Sequence, residues 1–189
     1  MSAPRVEGPI GLKSKLGEIL MNTVQLERYV TVGANQVRRR ARVPVIRDEI
    51  DPELPCKVYE EFLDVCKDER LQLNDGPLKF EFWRQCLLGQ ARSFWDAEVA
   101  AAAGTTDNDF TEAITCWFAK YFDPTAFHDQ KQYFLNATKA FQMSVKATAN
   151  RTLEIVRYMR FMPGAPAVGT PIYSDVEMKM TLYRLMRTN

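Results

Sequence analysis

Leu87-Leu88-Gly89-Gln90-Ala91-Arg92-Ser93-Phe94-Trp95 is the stretch that sets the expected fold of this chain. An apolar turn runs into a glycine, which accepts the left-handed backbone that commonly ends a helix. A second helix restarts at Gln90 and places Ala91, Phe94, Trp95 and Val99 near one face, as helical spacing requires. A junction of this kind is a packing element rather than a chemical site.

Working outward, apolar residues recur at helical spacing and the expected fold is all-α. Upstream, a helix is expected from about Leu12 to Val30, with Leu12, Leu16, Ile19, Leu20, Thr23 and Val24 on one face. Asn35 to Arg42 reads as a polar, basic spacer, and Pro44 disfavours helix at Val43. A helix from Lys57 turns Val58, Phe62, Leu63 and Val65/Cys66 inward, and Asn74-Asp75-Gly76-Pro77 is a turn. The next helix spans about Leu78 to Leu88, with Phe82, Cys86 and either Trp83 or Leu87 inward.

Downstream, Asp109 and Glu112 have capping-box spacing, opening a helix with Phe110, Ile114, Trp117, Phe118 and Tyr121-Phe122. Asp123-Pro124 breaks and reopens the chain. Pro124 to Gln142 carries Phe127, Lys131, Phe134/Leu135 and Thr138 along a face, and Ser144 to Met162 carries Leu153, Val156 and Arg160. Ser174 and Glu177 form a second box ahead of a last helix through Met178, Leu182 and Leu185-Met186.

Composition narrows the function. The 189 residues are 46% hydrophobic and 26% charged, which suits a folded chain rather than a disordered one. The formal net charge of +1 gives no global field toward nucleic acid or membrane. No apolar run is long enough for a membrane span and no signal peptide is evident, so an intracellular, cytoplasmic location is expected. Charge is uneven, because residues 1–50 hold nine Lys/Arg against five Asp/Glu. Arg38-Arg39-Arg40-Ala41-Arg42 is the one basic cluster. It can neutralise a few phosphates. With no aromatic residue interleaved, a solvated linker is the simpler reading.

Catalytic inventories are thin, and no enzymatic activity is expected. The single histidine, His128, has no serine or cysteine motif near it, so a nucleophile–base pair finds little support. Cys56, Cys66, Cys86 and Cys116 are scattered, which argues against zinc and fits buried free thiols. The adjacent carboxylates Glu60-Glu61 and Asp48-Glu49 fit solvated helix faces better than an acid–base pair. Neither glycine-rich nucleotide signature occurs, and no cofactor or small-molecule substrate is expected. The aromatics between Phe80 and Phe122 are expected to be core.

Together these residues resemble a known family. Leu88-Gly89-Gln90-Ala91 followed by Phe94-Trp95 is similar to the Leu-x-Gly-x-Ala-x-x-Trp element in Gag proteins of gypsy-type LTR retrotransposons. Trp117-Phe118 leading to Phe122-Asp123-Pro124 resembles the family's aromatic helix closing on Phe-x-Pro. Gln142-Met143-Ser144-Val145 and Arg151 are similar to its next segment, although Thr148 and Thr152 stand where aromatics are usual.

The resemblance implies a two-lobed, all-helical capsid-like bundle. Its parts would be an N-terminal helix and basic spacer (1–47), an N-terminal lobe (48–123) and a C-terminal lobe (124–189). It implies a structural protein that self-associates into homo-oligomers or particles around element RNA, with no membrane anchor. No zinc knuckle or retropepsin signature is present, so the chain would be the capsid part of a longer polyprotein or a domesticated relative. The alternative is a helical nucleic-acid-binding or adaptor module that uses Arg38, Arg39, Arg40 and Arg42.

Overall fold

The structure, a computed structural model, describes residues 23–47, 53–68, 76–101, 106–139 and 143–187. These form strands β1 (Thr23–Val32) and β2 (Asn35–Pro44), then helices α1 (Leu54–Lys67), α2 (Gly76–Gln85), α3 (Gly89–Ala101) and α4 (Asp107–Tyr121). Helices α5 (Ala126–Asn136), α6 (Val145–Met159) and α7 (Asp175–Arg187) follow. The fold is mixed α and β, which corrects the all-α expectation. An antiparallel hairpin stands where the end of the first helix and the basic spacer were expected. The rest of that expected helix, from Leu12 onward, lies outside the described residues.

Local sequence explains the hairpin. Thr23, Val24, Val30, Thr31 and Val32 are β-branched, and stiff branched side chains pack well on a pleated strand. Leu26 and Val30 are both buried, and their four-residue separation satisfies one face of a strand as well as one face of a helix. The turn is Gly33-Ala34, with Gly33 at φ 63°. A two-residue hairpin turn needs that left-handed backbone to match the strand twist. A Cβ at Gly33 would meet nothing within 4 Å, so the constraint is conformational rather than spatial.

The chain divides into two compact units. One comprises Met21–Glu49 and Leu54–Tyr121, and so holds the hairpin and α1–α4; the other holds Glu53 and the chain from Phe122 onward, with α5–α7.

Trp83, Trp95, Trp117 and Phe62 are completely buried in the hairpin unit. Trp83 meets Trp117 edge-on, with centroids 5.6 Å apart at 90°, and meets Phe62 at 5.2 Å. Such arrangements set the positive ring edge against a negative face. The Trp117 indole N–H donates to the Ala91 carbonyl at 2.8 Å, tying α4 to the start of α3. An isolated hairpin is marginal in water, so this one depends on its anchorage. Leu26, Val30, Val43, Val45 and Ile46 are buried. Ile46 also pairs with Leu87 as a short parallel bridge. The Ile46 N–H donates to Cys86 O at 2.8 Å, and the Leu88 N–H to Ile46 O at 2.9 Å. The apolar turn before Gly89 is thus spent on a strand contact, and α2 ends at Gln85 rather than Leu88.

In the second unit, Tyr133, Phe134, Ile155, Met159, Tyr173 and Leu185 form the core. Helix α6 turns Thr148, Arg151, Thr152, Ile155, Tyr158 and Met159 inward. Of the spaced positions Leu153, Val156 and Arg160, Val156 packs against this core, whereas Leu153 is 59% exposed and Arg160 is exposed. Thr148 and Thr152 are buried without penalty because each hydroxyl donates to a carbonyl four residues back, at Ser144 and Thr148. The Ser144 side chain caps α6 by accepting from the Ala147 N–H. The Ser174–Glu177 box forms as its spacing predicts. The earlier box is offset, pairing Thr106 with Asp109 rather than Asp109 with Glu112.

Candidate interaction surfaces

Strand alternation sorts the basic cluster. Arg38, Arg40 and Arg42 are exposed on one face of β2, while Arg39 turns to the other and is half-buried. The register places Tyr29 opposite Arg38, Glu27 opposite Arg40 and Gln25 opposite Arg42. Tyr29 is 64% exposed. Glu27 forms ion pairs with Arg38 and, at 3.0 Å, with Arg40. The hydrogen bond from Arg38 holds the Glu27 carboxyl below its ordinary pKa despite some desolvation. Arg42 forms no ion pair among the described residues. The basic spacer expected for these arginines is therefore corrected to a β-ribbon face, and an aromatic residue does share it. Sequence reading missed Tyr29 because it lies nine positions from Arg38 and reaches it only through strand pairing.

The second surface is on α7. Thr181 and Leu185 face the core, while Val176, Met180 and Tyr183 are each at least 64% exposed. Their i, i+4, i+7 spacing makes one apolar stripe on the outer face. A shallow depression of about 520 Å³ beside it is lined by Met180, Thr181, Tyr183, Arg184 and Arg187. The helix is acidic in its first turn, at Asp175 and Glu177, and basic in its last, at Arg184 and Arg187. That order suits the helix dipole. The Arg187 guanidinium lies 5.3 Å over the Tyr183 ring.

A third cluster is buried. Arg151 donates to Glu53 and, at 2.6 Å, to Glu154. Gln130 donates to the other Glu53 oxygen, and the Tyr158 hydroxyl to Glu154 at 3.0 Å. Glu53, Gln130 and Arg151 are each no more than 5% exposed. Burial opposes the Arg151 charge, and the two carboxylates outweigh it, so the guanidinium is held more firmly protonated than usual. Each charged member, Arg151, Glu53 and Glu154, has a partner, which makes this a structural clasp.

The remaining candidates scatter. Ala91, Trp95, Trp117 and Phe118 are buried in the hairpin unit, Leu88 and Phe94 are half-buried, and Gly89 takes φ 56°. The structure thus supports Trp95 as a core anchor and corrects Phe94. Phe122 is buried in the second unit, Pro124 and Val145 are exposed, and Gln142 lies outside the described residues. Cys56, Cys66 and Cys86 are buried, whereas Cys116 is exposed, against expectation. Burial pushes the Cys66 thiol up to about 11.

His128 is exposed, with its ring 3.0 Å from the Gln132 amide. Glu60 and Glu61 are half-buried on α1, and desolvation raises Glu61. The Asp48-Glu49 pair is outside the described residues. Among the described residues, no three His, Cys, Asp or Glu side chains cluster to hold a metal ion, and no helix is long and apolar enough to cross a membrane. Comparison with known protein families, curated proteins and solved structures found no match.

Proposed function

We propose that this chain is a non-enzymatic, cytoplasmic structural protein that self-associates in the manner of a retrotransposon Gag capsid. The observation that carries the association is the outer face of α7. Val176, Met180 and Tyr183 leave an apolar stripe in water on a helix already anchored by Leu185. The stripe is self-complementary about Met180. In an antiparallel pair of α7 helices, Val176 of one copy lies toward Tyr183 of the other. The acidic first turn of each then lies beside the basic last turn of its mate. This is an isologous, two-fold contact, in which one patch serves both copies. One helix face buries little area, so a single contact is weak, and many acting together supply the avidity of a particle. Support for the Gag kinship is the order and spacing of Leu88-Gly89-Gln90-Ala91, Phe94-Trp95, Phe122-Asp123-Pro124 and Ser144-Val145.

Sedimentation velocity across a concentration series is the test. We expect concentration-dependent dimers or larger species, and a monomer for Met180→Glu, which sets two carboxylates against each other at the two-fold. Met180 is 67% exposed, so the substitution leaves the core intact. A wild-type chain that stays monomeric up to about millimolar, where contacts of only about 4 kcal/mol become visible, would overturn the proposal.

A further inference from the structure

We infer that the exposed face of the β1–β2 hairpin binds single-stranded nucleic acid, with Arg38, Arg40 and Arg42 on the phosphates and Tyr29 stacking on a base. The inference does not depend on association through α7.

Three observations converge on the occupant. First, charge is concentrated here. Residues 23–44 hold five arginines and one acidic residue, Glu27, so the hairpin carries +4 while the rest of the chain sums to −3. A polyanion is therefore drawn to this element rather than to the protein as a whole. Second, the arginines repeat along one strand. Alternate residues on a strand are about 7 Å apart. The three arginines are therefore rooted in a straight row that suits successive phosphates of an extended strand once Arg38 and Arg40 release Glu27. Third, the face carries an exposed aromatic in register. Tyr29 lies directly across from Arg38, and Arg40 is its diagonal neighbour. A row of cations beside an exposed ring is the combination that binds single strands without reading sequence.

Glu27 belongs to the same face and repels phosphate. Its carboxylate pairs with Arg38 and Arg40 in the free protein, fixing both guanidiniums beside Tyr29. An incoming phosphate must compete with it, so Glu27 restrains affinity. This role gives a readout that a purely structural ion pair does not.

The experiment is fluorescence anisotropy of labelled oligouridylate at low salt, with the full chain kept below the concentration at which it associates. We expect Arg38→Ala/Arg40→Ala/Arg42→Ala to weaken binding by tenfold or more and to flatten the salt dependence by about two log units per log unit of salt. Tyr29→Ala should weaken it roughly fivefold or more, with Tyr29→Phe close to wild type. Glu27→Gln should tighten it. A charge-matched control, Lys146→Ala/Arg160→Ala/Lys179→Ala, removes three exposed cations from the other unit and should leave binding unchanged. Circular dichroism confirms that each variant is folded.

Equal loss in the control and the hairpin variant would overturn the inference, because binding would then follow net charge alone. It would equally be overturned by no measurable binding, by tighter binding of duplex RNA, or by tighter binding of polyglutamate. Oligothymidylate run in parallel separates RNA from DNA as the strand. Preference for either leaves the single-strand face standing.

Discussion

Arg151 shows how a charged residue can take a core position on its helix, beside Ile155, Tyr158 and Met159. On α6 an arginine and two threonines face inward, and Leu153 and Val145 face water. An isolated charge could not be buried there; Arg151 can, because Glu53 and Glu154 pair with it and Gln130 completes Glu53. Removing one member leaves the other charged in a dry site. Arg151→Ala should therefore destabilise the chain by about 3–5 kcal/mol in urea unfolding. Glu53→Gln alone should also destabilise it, and the Glu53→Gln/Arg151→Met double variant should lose clearly less than the sum of the singles. Strict additivity across that cycle would show that the two side chains do not act as a pair.

Among the elements, the capping boxes carry a pH dependence with a definite sign. The Ser174 backbone N–H and hydroxyl both donate to Glu177, and these bonds hold its carboxyl below the ordinary value of 4.5. A carboxyl depressed in the folded state stabilises that state above its unfolded pKa, and the contribution disappears as pH falls through the folded value. Glu177→Gln should thus lower the melting temperature at neutral pH, and the gap from wild type should close as pH drops below 4.5. A gap that persists undiminished into acid would assign the effect to something other than the charged box. The box was legible because Ser174 and Glu177 stand at a fixed local spacing. Trp95 and Trp117 were legible for a similar reason, since large apolar residues at helical intervals have few alternatives to burial. The hairpin was not. Leu26 and Val30 fit either period, and arginine at four of the five positions from 38 to 42 hides the alternation that marks a strand. The pairing of Tyr29 with Arg38 is a long-range fact of register, which no local pattern states.

At the scale of the whole molecule, the two units carry separate spectroscopic labels. Trp83, Trp95 and Trp117 all lie in the unit with the hairpin, while α5–α7 contribute helix but no tryptophan. Tryptophan fluorescence therefore reports one unit and far-ultraviolet circular dichroism reports both. Trp95 is completely buried and packs against Phe80 and Phe110 at 5.5 and 5.9 Å. Truncating a buried tryptophan to alanine costs about 3–5 kcal/mol through lost contacts and the cavity left behind. Trp95→Ala should move the fluorescence transition to markedly lower urea, leaving a second dichroism step from the unit that holds α7. Because that unit keeps its own core, the variant should still self-associate through Val176, Met180 and Tyr183 at urea concentrations between the two steps. Coincident transitions by both probes would mean that the chain unfolds as one cooperative body. In that case Trp95, though remote in sequence from α7, would govern assembly through overall stability.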